Sequence, residues 1–221
     1  MQQSRNGSPA DCPTCGCLSV TLSAKRTRRS TAVSPETTRP PSRFLAPMET
    51  TTLSQFQARL GTPSDLAEDA RAEIGKALLP LTADVVALFL KTKNYHWHVS
   101  GSHYKEYHEL LDEHATQILA MVDVLAERSR KLGQATLRSI GQVAKITRVD
   151  NDDREFVDPH AMLRQLVEDN KDLVARMRAV HGTVEDLGDV ATASLLEVFI
   201  DETERRIWFL YETTVGEQYT N

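Results

Sequence analysis

Residues 48–221 contain no cysteine, because Cys12, Cys15 and Cys17 all precede Met48. Disulfides therefore cannot hold this part of the chain together, and it suits a reducing cytosol. No apolar run approaches the roughly 20 residues that a helical bilayer span requires. The stretch Leu18 to Ala24 is too polar for a signal-peptide core, and Asp11 precedes it rather than a basic cluster. Val, Ile and Thr nowhere alternate with polar residues strongly enough for a sheet, and no internal repeat is present. None of the seven histidines has a Glu three residues before it, so Glu-x-x-His ligand pairs inside one helical bundle are excluded. The run Cys12-Pro-Thr-Cys15-Gly-Cys17 lacks a fourth nearby ligand, the nearest histidine being His96. Free or reversibly oxidised thiols are expected there rather than a closed zinc site.

What is present is divided unevenly. The formal net charge of -5 combines a basic segment with an acidic body: residues 1–47 hold seven basic residues against two acids. The other 174 residues hold 19 basic against 29 acidic, a balance of -10. Such a body repels nucleic acid, so DNA binding would run through the arm, where Lys25, Arg26, Arg28 and Arg29 cluster, or through a bridging cation. The arm is rich in Ser, Thr, Arg and Pro and is expected to be disordered when free. Its composition is equally that of a segment ahead of a true start at Met48, an expression addition or an organellar targeting peptide. The expected organisation is this arm, 1–47, followed by one domain, 48–221.

The domain reads as helical. Thr62-Pro-Ser-Asp65 is a helix-start signal, and the pattern then runs to Val99, with Pro80 expected to kink or divide it. Gly101 stops this helix and Ser102 can cap the next, about 103–132, which ends at Gly133. A third helix is expected from Asp158-Pro159 to Gly182, and a fourth over about 189–214. Residues 134–157 form a long crossover in which Val143 to Ile146 make a short helix or turn. Two helical hairpins joined by a long crossover describe an all-α, ferritin-like four-helix bundle.

The second of these helices carries His108, Asp112, Asp123 and Glu127, two pairs spaced i,i+4. At about 100° per residue, the last three lie ~40°, ~60° and ~100° from His108. The apolar residues Leu110, Leu111, Ile118, Met121, Val122 and Leu125 fall between ~200° and ~320°, so the polar stripe faces away from the bundle core. His108 and Asp123 are 15 residues apart, about 22 Å along the axis. No single ion, nor a metal pair about 4 Å apart, bridges both pairs in one chain. Across a two-fold axis, however, His108/Asp112 of one copy can face Asp123/Glu127 of the other, giving two identical sites. Taken alone, such a stripe is ordinarily a solvated face, and the end of the preceding helix is what weighs against that reading.

That end reads Asn94-Tyr-His-Trp-His-Val-Ser-Gly101. It is followed by Tyr107-His-Glu-Leu-Leu-Asp112, then Asp123-Val-Leu-Ala-Glu-Arg128 and Leu132-Gly133. With Trp208 on the fourth helix, this pattern resembles the signature of the Dps family, the mini-ferritins or DNA-binding proteins from starved cells, over about residues 62–215. The resemblance implies a hollow dodecameric shell with a ferric mineral core and no organic cofactor. It implies that His96, His108 and Asp112 from one subunit, with Asp123 and Glu127 from its two-fold partner, bind iron and form the ferroxidase site. It further implies that Trp97 takes up oxidising equivalents and that hydrogen peroxide is the preferred oxidant; a packing role at a helix end suits Trp97 equally well. The expected protein is a cytoplasmic ferroxidase and iron store, nucleoid-associated if the arm binds DNA; a nucleoid-coating protein in which metal oxidation is secondary is the alternative. His98 and His103 are expected near the surface or behind the ligands, His114 in the core or an interface, and His160 and His181 as capping or exposed residues.

Overall fold

The computed structural model describes Gln55 and residues 59–215. Among these residues there are α1, Glu68–His98; α2, Tyr104–Lys131; α3, Ile140–Ile146; α4, Pro159–Asp186; and α5, Val190–Val215, with no strand. The helix α1 packs along α2, and α4 along α5, while α1 also meets α4 and carries α3 against its side. The fold is the four-helix bundle with a crossover helix expected from the pattern. Among the described residues no helix is long and apolar enough to cross a membrane.

Apolar spacing explains the assembly. In α1 the buried Ile74, Leu78, Leu81, Val85 and Leu88 recur at alternating intervals of four and three, forming one stripe. Leu111, Ile118, Met121 and Leu125 of α2, Leu163, Leu166, Leu173 and Met177 of α4, and Leu196, Phe199 and Leu210 of α5 close the same core. The crossover is tied down by polar contacts. Buried Asp84 accepts from the Arg148 amide at 2.7 Å and its Nε at 3.0 Å, and the Tyr95 hydroxyl donates to Asp152 at 2.5 Å.

Of the two outcomes open at Pro80, division does not occur, since α1 is continuous through it; three other local expectations are corrected. The carbonyl that Pro80 leaves without its donor belongs to Lys76, an exposed residue where water can serve instead. The same helix begins at Glu68 rather than in Thr62–Asp65, and the Thr62 hydroxyl instead donates to the Arg130 carbonyl at 3.2 Å. Ser102 caps nothing, since α2 starts behind His103, which makes no side-chain cap bond. Finally, α4 does not end at Gly182 but runs on to Asp186. A mid-helix glycine costs only about 1 kcal/mol, and continuing the helix buries Val184 completely. The stop is at Gly188, whose φ of 75° lets Asp189 N–H reach the Val184 carbonyl at 3.2 Å and Gly188 N–H the Glu185 carbonyl at 2.9 Å. At the other end of α4, Asp158 caps the helix as expected, accepting from the His160 and Ala161 amides.

Candidate metal centre

The antiparallel hairpin α1–α2 brings the last turn of one helix beside the first turns of the other. Gly101, with φ of 108°, makes the reversal that a side chain would oppose. His96 and His108 then face each other, their rings stacked with centroids 3.8 Å apart and planes 24° from parallel. Each imidazole is fixed by the other residue's backbone. His96 Nδ1 lies 2.9 Å from the His108 carbonyl oxygen, and His108 Nδ1 lies 2.9 Å from the His96 carbonyl oxygen. A carbonyl only accepts, so both Nδ1 atoms must carry the proton and donate. In the neutral rings both Nε2 atoms then present lone pairs, the form in which imidazole binds a metal.

Asp112 lies one turn beyond His108 on α2. Its Oδ1 is 3.8 Å from His96 Nε2 and is in direct contact with the Lys93 ammonium. The hydrogen bond from Lys93 holds the Asp112 carboxyl below the usual carboxylate range. Lys93 was not anticipated, although it sits three residues before His96 on the same face of α1, a spacing that could have revealed it. Tyr104 was also missed; its ring lies 5.0 Å from that of His108.

Asp123 and Glu127 are not brought to this group. Both are exposed on the far half of α2, where Glu127 Oε2 lies 3.4 Å from Lys131 Nζ. Among the described residues of the one chain, no three His, Cys, Asp or Glu side chains form a cluster able to hold a metal ion. Behind Glu127, Arg128 Nη2 contacts both carboxylate oxygens of Asp189 at 2.7 Å and its Nε donates to the Thr192 hydroxyl at 2.6 Å. This anchors the end of α2 to the start of α5.

Trp97 is 59% exposed, next in sequence to buried His96, on the rim of an apolar depression of about 540 Å³ that Leu90 and Ile140 also line. His98 is exposed and donates from Nδ1 to the Asn94 carbonyl at 2.7 Å, while exposed His103 lies against the Tyr107 ring. His114 is buried, as its place on the apolar side of α2 implied. His160 stands edge-on to Tyr107, and His181 lies within 3.3 Å of Glu185 and 3.1 Å of Glu197. Lys25, Arg26, Arg28 and Arg29, and the three cysteines, lie outside the described residues.

Comparison with known proteins agrees with this architecture. The family described as the ferritin-like domain matches residues 75–215. The "DNA protection during starvation protein" of Helicobacter pylori is 29% identical over 130 residues, 59% of this chain and 90% of that protein. The protein of the same name from Agrobacterium fabrum is 29% identical over 149 residues, 67% of this chain and 92% of its own length. The solved structure of DpsC from Streptomyces coelicolor superposes with a TM-score of 0.69 at 29% identity, covering 71% of this chain and 91% of that one. The chain belongs to the ferritin-like family and, within it, to the Dps proteins.

Proposed function

We propose that this chain is a ferroxidase that oxidises Fe(II) with hydrogen peroxide at a site shared by two subunits, and that a dodecameric shell stores the ferric product and thereby protects DNA. The observation that carries this reading is the reciprocal bonding of His96 and His108, which presets two Nε2 lone pairs beside the Asp112 carboxylate. Two neutral imidazoles and carboxylates suit Fe(II), and the hard oxygen donors favour the ferric product. His96, His108 and Asp112 of one subunit hold the substrate from one side. Asp123 and Glu127 of a second copy close it from the other, since about 22 Å of helix separates the two pairs in one chain.

Two Fe(II) ions held together each give one electron to the same peroxide. The O–O bond breaks, both oxygens leave as water after taking up protons, and no hydroxyl radical is released. Trp97, exposed beside His96, is placed to absorb a stray oxidising equivalent. The acidic body, with its balance of -10, supplies carboxylates on which ferric iron can nucleate. The relatives' name, DNA protection during starvation protein, supports the protective role. Contact with DNA is assigned to Lys25, Arg26, Arg28 and Arg29, weak individually and strengthened by display on many subunits in the cytoplasm. The test follows peroxide-driven Fe(II) oxidation by ferric absorbance in the parent and in the variant carrying both His108→Ala and Asp123→Ala. The variant is expected to fall to the protein-free rate; oxidation as fast as in the parent sinks the assignment.

A further inference from the structure

Three large apolar side chains stand exposed around one hollow. Leu90 of α1 is 55% exposed, Trp97 59% and Ile140 of α3 72%, and all three line the depression of about 540 Å³ between α1 and the crossover. Local structure puts them there. At about 100° per residue, Leu90 and Trp97 lie ~20° apart on α1, and Leu90 lies ~160° from Leu88 of the core stripe. The short helix α3 packs against that side of α1 but buries only Val143 of its own residues. Ile140 opens α3, behind a Ser139 cap that accepts from the Gln142 amide at 3.2 Å, and projects into solvent.

Single exposed apolar residues are ordinary, whereas several large ones around one hollow mark a contact surface. The distribution of polarity agrees. Less exposed Val86, Ala87 and Val143 line the depression further in, and exposed Asp150, Asp153 and Arg154 border it. An apolar centre inside a charged rim is the layout of a protein interface.

The same surface leads into the candidate metal centre. Lys93, which contacts Asp112, lies ~40° from Trp97 and ~60° from Leu90 on α1. The apolar patch therefore continues the polar stripe of α2 around the hairpin. Stacking of His96 on His108 sets the register of this antiparallel pair, so Val86 and Ala87 lie about level with Gln117 and Ile118. That level is midway between His108/Asp112 and Asp123/Glu127, where a two-fold axis relating the pairs would cross α2. A two-fold contact joins like patches, so such a patch must fit its own copy. This one offers both a hollow and a projecting Ile140. We propose, on the two-copy reading of the metal centre, that the occupant of this face is the same face of a second copy, with Ile140 of each chain seated in the hollow of the other. The contact holds the two ligand pairs in register and takes Trp97 out of water.

Light scattering after size exclusion of the full chain tests the contact, together with the emission of Trp97 in a Trp208→Phe chain, where it is the sole tryptophan. Ile140→Asp places a carboxylate on the contact at a position exposed in the single chain. Leu90→Asp does the same from α1 and decides the matter should the first variant fail to fold. Both should keep the helical circular dichroism of the parent, fall to a smaller assembly mass, and shift Trp97 emission to the red as the ring enters water. A parent that runs as a single chain overturns the proposal, as does a folded aspartate variant with the parent's mass and emission. A smaller mass without the red shift places the contact elsewhere, and a red shift at the parent's mass gives the hollow to another occupant; either result also overturns it. Fe(II) oxidation in the same samples reports on the metal centre separately. A smaller assembly that oxidises iron as fast as the parent sinks the shared site and leaves this interface standing.

Discussion

Replacing Asp189 by asparagine separates two roles that one side chain performs at the start of α5. The carboxylate caps the helix, accepting from the Thr192 amide at 3.1 Å, and it pairs with Arg128 from the end of α2. Asparagine retains good capping ability but loses the charge. Removing one partner of a buried pair costs about 3–5 kcal/mol. The lower end applies here, because the Arg128 side chain keeps 18% exposure and can hydrate once abandoned. Asp189→Asn should therefore cost about 3 kcal/mol, and Asp189→Ala about 1 kcal/mol more through loss of the cap. For a domain of this size the asparagine variant should melt roughly 6–12 °C lower. Acid supplies a further check. Burial raises the Asp189 carboxyl, but Arg128 and the Thr192 hydroxyl and amide outweigh it and hold it below its ordinary value. Its stabilisation is thus fully present above the unfolded carboxylate pKa of about 3.9 and is lost as pH falls through the lower folded value. Denaturant unfolding followed by circular dichroism should show parent and Asp189→Asn separated at pH 7 and converging in strong acid. Equal stability at pH 7 would refute the reasoning.

Lys93→Met retains the aliphatic stem of the residue and removes the ammonium that contacts Asp112. Fe(II) should then reach half-maximal oxidation rate at a several-fold lower concentration, measured by initial rates; an unchanged or higher concentration counts against competition between Lys93 and iron. Deleting residues 1–47 should abolish retardation of duplex DNA in a low-salt gel while leaving Fe(II) oxidation intact. Retardation that survives the deletion would move DNA contact to the acidic body.

Periodic features of the fold were legible in the sequence because burial imposes them along the chain. The Ile74-to-Leu88 stripe and the Asp158-Pro159 start each follow from local rules. The end of α4 did not, because Gly182 and Gly188 look alike until tertiary packing is known. Burial of Val184 carries the helix past the first, and only the second adopts positive φ. At the candidate centre, the positions of His96, His108 and Asp112 were readable from spacing and resemblance. The bonds that fix the two imidazoles were not, because their acceptors are backbone carbonyls, which no residue type announces. Lys93 illustrates a different miss. A search for ligands passes over a cation, although this cation contacts one of the proposed ligands.

The proposed division of the site between copies makes a demand that a site within one chain cannot meet. His108→Ala leaves Asp123 and Glu127 intact, and Asp123→Ala leaves His96, His108 and Asp112 intact. Each variant alone loses both sites of a symmetric dimer. When the two variants are unfolded together and reassembled at equal amounts, half of the dimers should contain one of each. In such a pair one site inherits both defects and the other inherits neither. About a quarter of all sites should then carry the complete native ligand set, and Fe(II) oxidation should recover to about that fraction of the parent rate. A ligand set drawn from a single chain predicts no recovery on mixing, whatever the ratio. Refolding the parent in parallel corrects for the yield of reassembly. Activity that stays at the protein-free level, in mixtures whose size-exclusion mass matches that of the refolded parent, would rule out the shared site.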